Sequence, residues 1–470
     1  MNPLDQLLAS YLDLARHLDP LRHPFEAPAE LRHRLGRFDA PWLTAQVAAL
    51  KSIANAIEDL DEVESRDDEV DRTMLLNTIR TDIVDLEAQA DGDTFDGRRP
   101  LEHVIEALCT LMDEEFDAEA EAALRDRIVA LPDFLASLRH DRRKLPAELV
   151  DAAVGATSRL LETLDEASEH LDDVAVQPAL VAVAEHRAWL DDPTRAGGEA
   201  WLGEEVLERH LATLGSEPVG VLGTLRLLEL RRAGVERSLL SAAQELGSDD
   251  ALGLINSMFE DEGIGFEELF DEWPVEWERV RHELMLLGVP LIAAPPIEDP
   301  IDANDRWTLT AAAIREQAAL TLDASREAQV SQVRRLLLAP GLLDGWGRTV
   351  AALLRATPAT GIPERQLMLS YLALLDSVSA EVDLLLQSRR ATIGELIERT
   401  MRLTGQSAPA ARGLVAQVAD EPLEALAAAL AHEGWQSWYA EEGGDRVAFI
   451  RRALAGGGLA VPLARWASSS

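Results

Sequence analysis

The stretch Val150-Asp-Ala-Ala-Val-Gly-Ala-Thr-Ser-Arg-Leu-Leu-Glu-Thr-Leu164 shows the pattern that decides the fold of this chain. Its apolar residues recur three and four positions apart, which is the period of an amphipathic α-helix. A similar face runs from Leu225 to Ala243. Alternating strand patterns are scarce, and the best strand candidate is the short segment 289–294. The sequence therefore predicts a mainly α fold with at most a small β element.

The sequence also predicts where helices begin and end in the C-terminal third of the chain. Thr392-Ile-Gly-Glu395 has the spacing of a capping box, in which a threonine and a glutamate satisfy each other's backbone N–H groups. Gly405 is placed to end that helix, since glycine accepts a left-handed backbone without strain. Ser407 is then placed to begin the next helix, with Pro409 in its first turn.

The chain is long enough for several domains, but the positions of its glycine- and proline-rich segments favour a single domain. It has 470 residues, of which 47% are hydrophobic, so it can bury a sizeable core. The two regions rich in glycine or proline, 191–204 and 288–306, are short surface or crossing segments rather than flexible linkers. We therefore expect a single helical body spanning 1–470.

The negative charge is concentrated in the first two thirds of the chain. The total is −40; residues 1–320 hold 68 acidic and 29 basic residues, whereas residues 321–470 hold 16 and 15. The sequence thus divides into an acidic N-terminal part and a near-neutral C-terminal part. Nucleic acid and anionic membranes are disfavoured as partners, because both would repel such a polyanion.

Targeting signals and common metal sites are missing from the sequence. Asp5 and Asp13 stand where a signal peptide would need an apolar core, and no long apolar run predicts a membrane span, so we expect a cytoplasmic protein. A single cysteine excludes thiolate zinc sites. No two histidines have H-E-x-x-H spacing, and none lies between His282 and His432. We expect both of these histidines to be structural or surface residues.

The order of short segments along the chain resembles a bacterial family of unknown function whose members look like helical zinc metallopeptidases (zincin-like proteins). In the N-terminal part the resemblance rests on five segments: Leu18-Asp19-Pro20, Val70-Asp71 before Leu75-Leu76, Arg99-Pro100-Leu101, Leu131-Pro132-Asp133-Phe134-Leu135 and Trp201-Leu202-Gly203-Glu204-Glu205. In the C-terminal part it rests on Asp383, Thr392, Thr404-Gly405, Glu421-Pro422, Phe449, Leu454, Gly458 and Pro462-Leu463. It covers most of the chain, at a divergent level, and implies a large helical fold with a cleft.

The resemblance also implies where a zinc site would lie. Typical members carry His-Glu-x-x-Pro-Gly-His-His, and the matching stretch here is 326–333, with Arg326 and Gln332 at histidine positions. Glu327 keeps the position of the catalytic glutamate. Arginine stays protonated and glutamine is a weak zinc ligand, so no zinc or other cofactor is expected. We expect the Arg326 guanidinium to pair with Glu327 or Asp344 instead.

Further family positions continue downstream of this stretch. A Glu-Gly-Trp motif is matched by Asp344-Gly345-Trp346, and a later family glutamate by Ala351. The family's Asp is matched by Asp383, and a histidine just after it by Gln387. Glu433-Gly434-Trp435 is closer to the motif in letters, but it lies too near the C-terminus. We therefore favour 344–346 as the motif.

Three functions follow from these residues. The leading interpretation is a catalytically inactive relative that binds a small molecule, a peptide or a protein in the family cleft. The second is a hydrolase in which Glu327, Asp344 and Asp383 hold an oxygen-preferring cation. The third is an acidic protein that binds a basic partner through residues 1–320. The sequence specifies neither the ligand nor the oligomeric state.

Overall fold

The computed structural model describes residues 3–18, 33–60, 65–91, 98–113, 116–139, 147–194, 201–214, 219–261, 266–289, 306–355 and 363–468. Twenty α-helices and no strand lie within them, which confirms the predicted mainly α fold. Of the predicted strand 289–294, only Val289 is among the described residues, and it lies outside regular structure. None of the helices in the described ranges has the length and apolarity to cross a membrane.

The first seven helices are α1 (Pro3–Leu18), α2 (Ala40–Glu58), α3 (Arg66–Asp91), α4 (Arg99–Asp113), α5 (Ala118–Leu138), α6 (Ala147–Ala167) and α7 (Asp173–Leu190). The next six are α8 (Glu204–Thr213), α9 (Gly220–Glu245), α10 (Ala251–Asp261), α11 (Phe266–Leu286), α12 (Arg306–Glu327) and α13 (Gln332–Leu336). The last seven are α14 (Leu342–Arg355), α15 (Pro363–Gln387), α16 (Ile393–Thr404), α17 (Ala408–Asp420), α18 (Glu424–Glu441), α19 (Arg446–Ala455) and α20 (Val461–Ser468).

The chain divides into two compact units, and the division falls inside α3. Unit 1 comprises Met1–Asp61 and Ile79–Val206, and unit 2 comprises Glu62–Thr78 and Leu207–Ser470. The expectation of a single helical body over 1–470 stays a prediction. The candidate site described below lies wholly within unit 2.

Unit 1 is held by a core to which α4, α5, α6 and α7 contribute. Leu124, Ile128 and Leu135 on α5 and Leu160 and Leu164 on α6 are fully buried in this cluster. Leu160 and Leu164 of the apolar pattern in 150–164 thus face this core, as their spacing predicts.

The predicted helix boundaries in unit 2 are confirmed. Thr392 and Glu395 form both hydrogen bonds of the capping box at the start of α16. Gly405 ends that helix with a left-handed φ of 71°. The Ser407 side chain accepts from the N–H of Ala410 at the start of α17, and Pro409 lies in the first turn.

Unit 2 is organised around α15, a helix buried on most of its circumference. It packs against α9, α10, α12, α14, α16, α17 and α18. Glu381 on α15 is inaccessible to solvent. Its carboxylate accepts from Arg232 Nε of α9 at 2.7 Å and from Arg399 Nη2 of α16 at 2.5 Å. A buried carboxylate held by two guanidinium groups therefore ties three helices together.

Glu381→Ala should destabilise the protein by about 1–3 kcal/mol, since it removes the buried carboxylate that two partly exposed guanidinium groups share. The measurement is the free energy of unfolding from urea denaturation. Glu398→Ala, at an exposed position of α16, is the matched control and should change it by less than about 0.5 kcal/mol. Equal effects of the two substitutions would show that the Glu381 pair does not stabilise unit 2.

Candidate functional site

The Asp344-Gly345-Trp346 segment lies in the first turns of α14, and two of its residues are buried against α18. A Cβ atom on Gly345 would lie 2.8 Å from Ala428 O and 2.9 Å from His432 N, so only glycine allows this close approach of the two helices. Trp346 is fully buried, whereas Asp344 is exposed. The segment therefore acts in helix packing, and its carboxylate points away from that contact.

The alternative Gly-Trp segment, Glu433-Gly434-Trp435, lies on the facing helix α18. The Trp346 and Trp435 rings pack edge to face, with centroids 5.3 Å apart, a favourable geometry for aromatic pairs. The two segments that compete for one motif in the sequence are thus neighbours in space. Phe449 of α19 packs against both rings.

A cavity of about 200 Å³ opens beside this contact. We call it the arginine cavity, because four arginines line it, contributed by α9, α12 and α14. Its charged and polar lining residues are Arg231, Arg315, Arg348, Arg355, Asp376, His432, Glu433, Gln436 and Ser238. Four arginines against two carboxylates give it a net charge of +2 within a chain of net charge −40.

Asp376 of α15 neutralises only part of this charge. Its Oδ2 accepts from Arg315 Nη2 at 2.6 Å, and its Oδ1 lies 3.6 Å from Arg348 Nε. Two guanidinium groups therefore share one carboxylate. Arg315 Nε and Arg348 Nη1 are buried and have no hydrogen-bond partner. Gln436 Nε2 is a third buried donor of this kind in the cavity lining.

The other two arginines of the cavity, Arg231 and Arg355, are largely buried. Arg231 Nη1 donates to Ala429 O at 3.0 Å and lies 3.6 Å from Glu433 Oε2. Burial lowers the pKa of Arg231 to about 10, against the opposing effect of Glu433. Burial also lowers the pKa of Arg355, and no carboxylate among the described residues pairs with it. The cavity thus holds cationic groups whose desolvation is not compensated.

His432, which we expected to be structural or a surface residue, is buried and lines the arginine cavity. Its Nδ1 lies 2.7 Å from Thr349 Oγ1, which itself lies 2.7 Å from Gly345 O. Since the hydroxyl donates its proton to that carbonyl, it accepts from the imidazole, so Nδ1 carries hydrogen. His432 is therefore oriented by α14, and its role is both structural and local to the cavity.

The predicted zinc positions lie apart from this cavity, at the end of α12 and the start of α13. Arg326 Nε donates to Asp323 Oδ1 at 2.7 Å, and Arg326 Nη1 donates to Arg335 O. The expected pairing of Arg326 with Glu327 or Asp344 is therefore wrong. Asp323 lies one turn away on the same helix and is the nearer carboxylate along that face. Glu327 and Gln332 are exposed.

The side chains at these positions do not fit a zinc ion. The Arg326 guanidinium is committed to two oxygen acceptors and has no lone pair to offer a metal. Gln332 faces solvent. No group of three or more His, Cys, Asp or Glu side chains within the described ranges is arranged to hold a metal ion. Glu327 and Asp344 are exposed, whereas Asp383 is fully buried, and a shared cation at these three residues stays a prediction.

Asp383 has a structural position on α15. Its Oδ1 accepts from the N–H of Leu423 at 3.1 Å and its Oδ2 from the N–H of Leu426 at 3.1 Å. It thereby caps the N-terminus of α18 from a different helix, where Leu423 has a left-handed φ of 69°. Burial raises the pKa of Asp383 to about 7 despite these two hydrogen bonds. Gln387, one turn later, is buried, and its Nε2 has no partner.

Another contact in unit 2 joins two segments named by the resemblance. Arg334 Nε donates to Asp71 Oδ1 at 2.6 Å, and its Nη2 donates to Asp67 Oδ1 at 2.8 Å. Burial raises the pKa of Asp71, while hydrogen bonds from Ser331 and Arg334 oppose that shift. The start of α3 is therefore pinned to α13, a contact that connects positions more than 250 residues apart and that sequence spacing does not reveal.

Comparison with known proteins gives a fold but no family or function. No family model and no curated protein matches the chain. Two solved structures match over nearly their whole length. One is described as "a putative lipoprotein of unknown function from Shewanella oneidensis", with 15% identity, a TM-score of 0.77 and 98% of each chain covered. The other is "the putative lipoprotein from Colwellia psychrerythraea", with 13% identity, a TM-score of 0.78 and 99% of each chain covered. At these identities the likeness shows that the fold is shared.

Asp383→Asn should change how stability depends on pH. In the wild type the folded-state pKa is about 7, above the unfolded value of about 4. The folded state then loses stability as pH rises from about 4 to about 7, by on the order of 4 kcal/mol. The asparagine variant has no such group, so the difference in unfolding free energy between the two proteins should vary over this range.

The measurement is urea denaturation at a series of pH values between 4 and 8. Glu398→Gln, at an exposed position, is the control and should follow the wild type throughout. A constant difference between wild type and Asp383→Asn across this range would mean that Asp383 titrates at an ordinary pH.

Proposed function

We propose that the chain is a non-catalytic relative of the zincin-like proteins it resembles, and that it binds a small anionic ligand in the arginine cavity. The observation that carries the proposal is the net charge of +2 on the cavity lining, where four arginines stand against two carboxylates. A buried charge costs free energy unless it is paired. An anion in the cavity would supply the missing partner.

The chemistry of the lining favours an anion over other ligands. Guanidinium groups have donors only, in a planar fork that matches carboxylate and phosphate oxygens. Charge-assisted hydrogen bonds of this kind are strongest where water is excluded. The lowered pKa of Arg231 and of Arg355 shows that burial already penalises these cations. An anionic ligand would relieve that penalty.

The position of the cavity supports a link with the resemblance. Ala351, which matches a glutamate of the family motif region, lines the arginine cavity on α14. An alanine there leaves the neighbouring Arg348 and Arg355 without a carboxylate that the family pattern would supply. The same helix thus carries the motif match and the charge that a ligand would neutralise.

The absence of catalysis is proposed from the side chains at the zinc positions. Arg326 bonds to Asp323 and to a backbone carbonyl, and Gln332 is exposed, so neither replaces a histidine ligand. Glu327 is also exposed. The residues at the zinc positions would not hold a metal whose bound water Glu327 could activate. A cytoplasmic location and a basic partner for residues 1–320 stay predictions.

The size of the cavity favours a small molecule over a folded partner. A volume of about 200 Å³ lies below the range of about 300–1,000 Å³ that is typical of sites for drug-sized ligands. This is room for a small organic anion or for the end group of a longer one.

Binding is tested by isothermal titration of dialysed protein with glutarate at low ionic strength. The wild type should bind one equivalent, and Arg348→Met should lose about tenfold or more in affinity, because a charge-assisted contact is removed. Arg412→Met, at an exposed arginine of α17 in the same unit, is the matched control and should bind as the wild type does. Equal affinity in all three proteins, or no binding by any, would contradict the proposal.

Catalytic inactivity is tested separately by metal analysis of purified protein after dialysis against buffer without chelator. The expected metal content is below a tenth of an equivalent (roughly background), since the zinc positions lack imidazole ligands. A stoichiometric transition metal retained after dialysis, or peptidase activity that Glu327→Gln abolishes, would contradict the non-catalytic assignment.

A further inference from the structure

The uncompensated cations of the arginine cavity lie at two places along α14. Arg348 and Arg355 are seven residues apart on that helix, which is two turns, so they lie on the same face with Cα atoms about 10 Å apart. Both line the cavity. One cationic group is therefore near each end of the α14 side of the cavity.

The charges at the two ends differ in their partners. At the Arg348 end, Arg315 and Arg348 share the single carboxylate of Asp376, at 2.6 and 3.6 Å. Two cations against one anion leave one positive charge there. At the Arg355 end, no carboxylate among the described residues pairs with the guanidinium. Arg231 is matched by Glu433 at 3.6 Å, so one net positive charge remains at each end.

On α14 and α15 the lining between these ends includes apolar side chains. Ala351 and Ala352 lie between the two arginines on α14, and Leu372 and Ala373 of α15 line the same cavity. These side chains offer no hydrogen bond but can cover methylene groups. Two cationic ends separated by alanine and leucine side chains match a molecule with two anionic groups on a short aliphatic chain.

We propose that the ligand of the arginine cavity is a short aliphatic dicarboxylate, with one carboxylate at Arg315 and Arg348 and the other at Arg355. This inference rests on the proposed function and makes it more specific. A single phosphate would neutralise one end only. A monocarboxylate would fill the apolar middle and leave one guanidinium without an anion.

The test compares ligands of matched length in one titration series. Glutarate, butyrate and inorganic phosphate are titrated into wild type, Arg355→Met and the control Arg412→Met. The wild type should bind glutarate about tenfold or more tighter than butyrate, because the second carboxylate gains a charge-assisted contact. Arg355→Met should remove that preference by weakening glutarate binding and leave butyrate affinity within about twofold.

The butyrate affinity of each protein is an internal control for correct folding, and near-ultraviolet circular dichroism provides a second one. Equal affinities for glutarate and butyrate in the wild type, or tighter binding of phosphate than of glutarate, would overturn the dicarboxylate inference while leaving anion binding intact. Failure of all three anions to bind would overturn both proposals. Retention of the full preference by Arg355→Met would also overturn the two-ended arrangement.

Discussion

Burial of charged side chains on α15 is the constraint on which unit 2 depends. A helix packed against seven others must satisfy each buried carboxylate with a group from a neighbour, because an unpaired charge in the interior costs several kcal/mol. Glu381 is satisfied by Arg232 and Arg399, and Asp383 by two backbone N–H groups at the start of α18. These contacts join α9, α16 and α18 to α15.

The arginine cavity is a place where the same constraint is left unmet. Asp376, on the same helix, faces two guanidinium groups and satisfies neither completely. Elsewhere on α15 each described carboxylate at the interior has its partners within the protein. The excess of two arginines over carboxylates in the cavity lining, within a chain that has 84 acidic residues, is the basis of the ligand proposal.

The sequence predicted the features that depend on neighbouring residues. The capping box at Thr392 and Glu395 and the helix end at Gly405 follow from interactions within one turn, and both are confirmed. The pairing of Arg326 was predicted wrongly. Its partner Asp323 is three residues earlier on the same helix and lies outside the stretch 326–333 that matches the family motif. The resemblance to zincin-like proteins stays a prediction, since the matching structures show only that the fold is shared.

The cavity itself could not be predicted, because its residues are brought together only by packing. Its arginines come from three helices and span positions 231 to 355, and no spacing rule connects them. His432 was set aside as a structural or surface residue because it lacks a histidine partner at metal-ligand spacing. In the sequence, 344–346 and 433–435 are alternative matches to one motif. In the structure, Gly345 and Trp435 belong to one helix contact beside the cavity.

The central claim is that the arginine cavity binds an anion, and anomalous diffraction from crystals soaked in selenate locates an anion most directly. The account predicts a selenium peak inside the cavity, within hydrogen-bond distance of Arg348, Arg315 or Arg355. A structure from the same soak in which selenate occupies other sites, while the arginine cavity contains only water, would contradict the claim.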